Sequence, residues 1–219
     1  MSCEEERRPG GRPDLLLAAE RRLSQLQLSS EEVFRALHGS LSAVTLRHGC
    51  SSVARVGGLC TCQVTSWSHG DSTWRGVSDG AKMARGATFP VRSLAALLEL
   101  IGAADGVVDY VKLDVESSEW GMFERLLAAG GGALGRVRQL AVELHLRQWE
   151  AELTGQGATP LTEARARRCL RVLFGLQLLG FQLAGSLHGE SMCVLRRDDF
   201  CVSAAYETLW VNTNVSGVS

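Results

Sequence analysis

The spacing of apolar residues changes several times along the chain, and each change predicts a structural element. Between residues 14 and 37, apolar side chains recur on one helical face behind the candidate caps Asp14 and Ser30, which predicts two helices. A third helix is predicted over residues 94–101, where apolar residues repeat at i, i+3, i+4 and i+7 after Ser93. The first part of the chain is therefore expected to be helical.

From residue 107 the pattern changes to that of a buried strand. Residues 107–115 are mostly apolar and β-branched, which is typical of a central parallel strand covered on both faces. A helix capped by Ser117 or Ser118 should follow and end at the glycines of residues 130–132. Alternating apolar residues then predict a second strand over 138–146.

The remaining pattern predicts one long helix and several strands. The helix should begin at Thr159, with Pro160 in its first turn, and end at Gly180. Strand candidates follow at residues 181–187, 191–196 and 206–212, and the last two are close enough in sequence to pair antiparallel. This order predicts the C-terminal part of a doubly wound α/β sheet, mainly parallel with an antiparallel C-terminal edge and with helices on alternating faces.

Composition divides the chain into three regions. Residues 1–13 are charged and contain proline and glycine, so they are expected to be a disordered tail. Residues 14–47 are predicted to form an N-terminal helical segment, and residues 48–219 one domain. With 45% hydrophobic residues, the chain has enough apolar side chains for a core of ordinary size.

Charge and hydropathy give expectations about partners and location. The net charge is -1, which attracts neither nucleic acid nor an anionic membrane. No apolar stretch reaches the length of a membrane span, and the first residues lack the order of a signal peptide. From the sequence as written, we expect a cytoplasmic protein without a membrane span that does not bind nucleic acid.

The cysteines predict neither a disulfide framework nor a metal site. They are seven in number and scattered, so reduced thiols are expected. The cysteines at 50, 60 and 62 and the histidines at 48 and 69 are candidate zinc ligands. The Cys-x-Cys spacing is not that of a zinc knuckle, so no metal site is predicted.

Four polar residues follow or end the two predicted parallel strands. Asp114 and Glu116 follow the first strand, and Glu143 and His145 end the second. Open α/β sheets bind ligands at the carboxyl ends of their strands, so these four are the candidate catalytic residues. The alternative is that the two acids only complement the next helix N-terminus and that His145 is structural.

The segment Val108–Trp120, VDYVKLDVESSEW, carries a family resemblance. It resembles the signature of the FkbM-like methyltransferases, in which two acids two residues apart precede a Glu-Trp pair. It looks more closely like the methyltransferase-like protein twenty-four group, which is related to them. Three further stretches match in the same order, so that the resemblance covers about residues 74–212; they are residues 93–98, 139–145 and 206–212.

The resemblance implies a class I, Rossmann-like methyltransferase domain that uses S-adenosyl-L-methionine. The implied reaction is O-methylation of a small-molecule or glycan-like acceptor. Asp114 and Glu116 would line the methyl-transfer end of the cleft, Asp114 would also contact the cofactor, and Glu143 or His145 would be the base. Longer members of such a family can be secretory.

The cofactor-binding half of this domain is incomplete in the sequence. Residues 55–58 resemble the element that precedes the family's cofactor strands, but the chain continues at Trp74 with a later part of the domain. Gly57 and Gly58 are then the remaining candidates for the cofactor turn, and a plain turn also explains them. The alternative function is a non-catalytic, truncated or diverged homologue that acts as an interaction protein, with a partner protein covering the incomplete sheet.

Overall fold

The computed structural model describes residues 14–43, 53–56, 59–62, 80–84, 87–115, 118–146, 160–188 and 193–215, with only the backbone course given over 53–91. The predicted tail, the cofactor-turn candidates Gly57 and Gly58 and the site residue Glu116 lie outside the described residues. The side chains of the cysteine and histidine set considered for zinc lie outside them as well.

Two capped helices open the described chain. Helix α1 spans Leu15–Gln25, and the Asp14 side chain accepts a hydrogen bond from a backbone amide of its first turn. Helix α2 spans Ser30–Ser42 and begins with a capping box, in which Ser29 and Glu32 each bind the other's backbone amide. Both predicted helices are confirmed, but Ser29 caps the second one and the predicted cap Ser30 is its first helical residue. The caps satisfy amides that have no partner inside a helix.

Two short antiparallel hairpins follow. Strands β1 (Val53–Val56) and β2 (Leu59–Cys62) form the first hairpin, and β3 (Gly80–Ala84) and β4 (Ala87–Val91) form the second. Each of them forms a two-stranded sheet that is separate from the main sheet.

The middle of the chain alternates helices and strands. Helix α3 spans Leu94–Leu100, strand β5 Val108–Leu113 and helix α4 Glu119–Ala128. A short 3-10 helix at Gly132–Arg136 then leads directly into strand β6, Val137–His145. The strands and helices predicted for this region are confirmed.

The described residues from 160 onward form one long helix and four strands. Helix α5 spans Glu163–Leu178 and is followed by β7, Phe181–His188. Strands β8 (Cys193–Arg196) and β9 (Cys201–Ser203) form a hairpin, and β10 spans Ala205–Asn212.

The start of α5 differs from the prediction. The Thr162 side chain accepts a hydrogen bond from the Arg165 amide and caps the helix, whereas Pro160 and Leu161 precede it without helical structure. Two threonines, at 159 and 162, could each have capped the helix. Thr162 does so because it directly precedes an uninterrupted run of helix-forming residues, so the predicted start at Thr159 was wrong.

The main sheet has the strand order β5-β6-β10-β7. Strand β6 is parallel to β5, and β10 is antiparallel to both β6 and β7, so three of the four strands run in one direction. The chain is thus α/β with a mixed sheet and helices, an arrangement consistent with a Rossmann-like fold. The antiparallel strand was predicted at the edge, but it lies inside the sheet.

The interior place of β10 has a clear physical reason. Its backbone pairs with β6 on one side and with β7 on the other, and its side chains are buried on both faces, with Trp210 on one and Leu209 on the other, as is typical of an interior strand. The predicted pairing of residues 191–196 with 206–212 is therefore wrong. Strand β8 pairs with β9 instead.

Strand β5 was predicted to be central, but it is an edge strand of the described sheet. Val107 is 52% exposed and Tyr110 39% exposed, whereas Leu113 is buried. A β-branched apolar run indicates a strand equally well at an edge and in the middle, so the sequence pattern could not separate the two.

The described helices pack together on the sheet instead of alternating between its faces. One core cluster contains buried side chains from the five described helices together with side chains of β5, β6, β7 and β10. Among the described residues, a second and smaller apolar cluster consists of Ala141, Leu209 and Val211. Fully buried leucines and aromatic residues of the main cluster each contribute about 1.5 to 3 kcal/mol to folding.

Ion pairs join α5 to the neighbouring helices. Arg171 lies 3.1 Å from Glu20 of α1 and 2.9 Å from Glu124 of α4, and Arg168 also pairs with Glu124. The basic residues of α5 therefore connect three helices of the layer.

Among the cysteines whose side chains the structure describes, one pair is joined. Cys193 and Cys201 form a disulfide across the β8-β9 hairpin, with their Cα atoms 5.7 Å apart, and Cys169 is free and buried. The expectation of reduced thiols is therefore wrong for this pair, because the hairpin that brings the two together is not visible in cysteine spacing. None of the described helices is both long and apolar enough to cross a membrane.

Candidate functional site

The candidate site lies where β5 and β6 end. The two strands are parallel, with Leu113 opposite Val142, so that Asp114 after β5 and His145 at the end of β6 come to the same edge of the sheet. Helix α4 begins at Glu119, and its first turn brings the Glu119 carboxyl group to the same edge of the sheet. One ligand atom from each of these three residues lies within 4.8 Å of the other two.

His145 is held between two carboxylates. Its Nδ1 lies 3.2 Å from Glu119 Oε1, and its Nε2 lies 3.5 Å from Glu143 Oε1. The side chain of His145 is buried and that of Glu119 has no solvent exposure, whereas Glu143 is half-buried. The imidazole thus has an acid at each nitrogen.

These contacts determine the charge of the site. Burial lowers the pKa of His145, but the hydrogen bonds and negative charges of Glu119 and Glu143 outweigh it and raise the pKa to about 10. The hydrogen bond from His145 lowers the pKa of Glu143. In the absence of other ligands, His145 is therefore a cation at neutral pH between two carboxylates.

Glu119 is the least accessible acid of the site. Its Oε1 accepts a hydrogen bond from the Val115 amide, at 3.2 Å, and also contacts His145. Its Oε2 is buried and finds no hydrogen-bond partner within the described part of the chain. An unsatisfied buried oxygen of this kind costs free energy, which marks the position as one to explain.

Trp120 fixes the geometry of this corner. Its Nε1 donates a 2.7 Å hydrogen bond to the carbonyl oxygen of His145, and the ring is buried in the main core. The first turn of α4 is thereby attached to the last residue of β6. The positions of Glu119 and His145 are thus set by core packing rather than by a loop.

The structure brings together three of the residues predicted from the sequence. Asp114 and His145 belong to the cluster, and Glu143 contacts the outer nitrogen of the histidine. Glu119 was missed as a site residue. Its position in the sequence could have indicated the site, because Glu119 lies in the first turn of the helix that follows β5, and the N-terminus of such a helix lies near the strand ends.

Comparison of the chain with protein-family models, curated proteins and solved structures finds no match. The likeness to methyltransferases therefore rests on the sequence motifs and stays a prediction. Chemically, the cluster of Asp114, Glu119 and His145, with Glu143 beside it, offers one imidazole and three carboxyl groups at the edge where open α/β sheets bind their ligands. Such a set can hold a cation, orient a polar group or accept a proton.

Proposed function

We propose that this chain is a methyltransferase-like protein that transfers a methyl group from S-adenosyl-L-methionine to a hydroxyl of a small-molecule or glycan-like acceptor. The observation that supports this proposal is the convergence of Asp114 and His145 from adjacent parallel strands. Ligands of open α/β sheets bind at this edge.

The charge of the cluster suits the proposed cofactor. Three carboxyl groups, those of Asp114, Glu119 and Glu143, lie around the single imidazole of His145, so acidic groups predominate at the site. S-adenosyl-L-methionine is cationic at its sulfonium and amino groups, so Asp114, at the end of β5, is the described residue suited to hold it. The cofactor would supply the electrophilic methyl group.

The protein's own part is alignment and control of one proton. Methyl transfer is an in-line displacement, accelerated mainly by positioning the acceptor in a water-poor site. Of the two base candidates, Glu143 fits better, because it is ionised and half-buried, whereas His145 with its raised pKa keeps its proton at neutral pH. His145 is then a positioning residue that acts through Glu143.

Calorimetric titration of the full chain with S-adenosylhomocysteine tests the proposal. We expect binding in the micromolar range that Asp114→Asn weakens about tenfold, the effect of losing one charge-assisted contact. Asp109→Asn, on the same strand but outside the cluster, is the matched control and should bind normally. If Asp114→Asn and His145→Ala both left a measured methylation rate unchanged, the assignment of these residues would be wrong.

A second candidate is favoured by a different observation. Strand β5 is an edge of the described sheet and exposes Tyr110, next to the exposed Val107 that precedes the strand, at the side where a cofactor-binding sheet would continue. A non-catalytic homologue that pairs this edge with another protein chain, such as a second copy, would have the same feature. Absence of heat with S-adenosylhomocysteine, together with self-association that Tyr110→Pro abolishes, would support it.

A further inference from the structure

The cluster at the ends of β5 and β6 has the composition of a metal site. We propose that Asp114, Glu119 and His145 bind one divalent transition-metal ion, with Zn²⁺ as the best-suited ion. No metal site was predicted from the sequence, and the proposal stands whether or not the chain transfers methyl groups.

The distances are those that a small cation needs. Zinc bonds to imidazole nitrogen and carboxylate oxygen are about 2.0 to 2.2 Å long, so ligand atoms around one ion are roughly 3 to 4 Å apart. The three candidate ligand atoms lie within 4.8 Å of one another, and Glu119 Oε1 is 3.2 Å from His145 Nδ1. The Glu119–His145 pair already has the required spacing, and the Asp114 carboxylate would move inward to complete the set.

The buried oxygen of Glu119 is an independent observation. Glu119 has no solvent exposure, and its Oε2 has no hydrogen-bond partner among the described residues. A buried carboxylate is costly unless it is paired, hydrogen-bonded or bound to a metal. A divalent cation at the centre of the cluster would satisfy this oxygen and balance the charges of two acids.

The surroundings of His145 match those of a histidine ligand. A histidine that binds a metal through one nitrogen usually donates its other N–H to a carboxylate, which fixes the ring and its tautomer. Glu143 Oε1 lies 3.5 Å from Nε2, the nitrogen that faces away from Glu119. His145 would therefore bind the ion through Nδ1, which releases its proton to solvent as the metal binds, while Nε2–H donates to Glu143 as the outer carboxylate.

The ligand set selects the kind of ion. Ca²⁺ takes six to eight oxygen ligands, and Mg²⁺ keeps most of its waters, so neither favours an imidazole among three ligands. Imidazole with carboxylates suits zinc, and three protein ligands leave one tetrahedral position for water or an acceptor oxygen. We therefore expect Zn²⁺ to bind most tightly, Mn²⁺ less tightly and Ca²⁺ not detectably.

The test is Zn²⁺ binding by the full chain after removal of metal with a chelator. We expect one equivalent that is lost in Glu119→Gln and in His145→Ala, a weakening of about 10-fold to 100-fold in Glu143→Gln, and normal binding in Asp109→Asn. Circular dichroism confirms the folding of each variant. Should Glu119→Gln fail to fold, Glu143→Gln and the rise of the wild-type melting temperature with Zn²⁺ give the same information.

Thiol binding must be separated from binding at this cluster, because the chain has seven cysteines. Co²⁺ distinguishes them, since cobalt bound to thiolates shows strong charge-transfer absorption and cobalt bound to nitrogen and oxygen does not. The expected spectrum lacks that absorption. The proposal is overturned if Zn²⁺ does not bind, or if Glu119→Gln and His145→Ala bind as much zinc as the wild type.

Discussion

The packing of α5 against α4 makes a quantitative prediction at Gly175. This glycine lies inside α5, and a Cβ atom added there would be 2.6 Å from Cδ1 of Leu127, a fully buried side chain of α4. Gly121 in α4 is the matched control, because a Cβ added there meets nothing within 4 Å. Both positions are helical and neither has a positive φ.

Two opposing effects determine the result of Gly175→Ala. Replacing glycine by alanine inside a helix stabilises it by about 0.5 to 1 kcal/mol. Overpacking a dense core costs about 1 to 3 kcal/mol, and Leu127 is enclosed on all sides. We therefore expect Gly175→Ala to lower the free energy of unfolding by about 1 kcal/mol and Gly121→Ala to raise it by up to about 1 kcal/mol.

Chemical denaturation measures the difference directly, and a double mutant tests its cause. Leu127→Ala alone should cost about 2 to 5 kcal/mol, but it also makes room for the new Cβ. In that background Gly175→Ala should become stabilising, which gives a coupling energy of at least about 1 kcal/mol. Equal effects at Gly175 and Gly121, or additive effects of Gly175→Ala and Leu127→Ala, would refute the reasoning.

Two further predictions concern covalent and ionic links. Replacing both Cys193 and Cys201 by serine removes a disulfide between residues eight apart in sequence. We expect the free energy of unfolding, measured by urea denaturation, to fall by about 2.5 kcal/mol. An unchanged midpoint urea concentration would contradict this prediction. The pKa of Glu124 is lowered, chiefly by its hydrogen bond with Arg168. That stabilisation is complete above the ordinary pKa of 4.5 and is lost as the pH falls through the lowered value. Glu124→Gln should therefore be about 1 kcal/mol less stable than the wild type at neutral pH, and the difference should shrink in acid; a constant difference would argue against the ion pairs.

The sequence predicted the elements of this fold better than their arrangement. Burial periodicity identifies β5, β6, β7 and β10, because each strand must match its environment residue by residue. Strand order depends on contacts between residues far apart in sequence, which local patterns do not contain. The interior position of β10 and the edge position of β5 were missed for that reason.

The site was predicted in part for a similar reason. Asp114, Glu143 and His145 could be found because strand ends are visible in the sequence. In the sequence, Glu119 cannot be distinguished from an acid that only complements a helix N-terminus. Its contact with His145 depends on how α4 packs against the sheet, which the sequence pattern does not contain. The raised pKa of His145 could not be predicted from the sequence either, because it depends on acids from two different elements, α4 and β6.

The order of the strands along the chain has a consequence for synthesis. Strand β10 separates β6 from β7 in the sheet but follows both of them in the sequence. A nascent polypeptide that has emerged only as far as β7 has two strands whose shared neighbour does not yet exist. The sheet can therefore be completed only after Tyr206 and Trp210 have been synthesised. Until then, the unpaired edges of β6 and β7 are open to a chaperone or to pairing with a non-native strand.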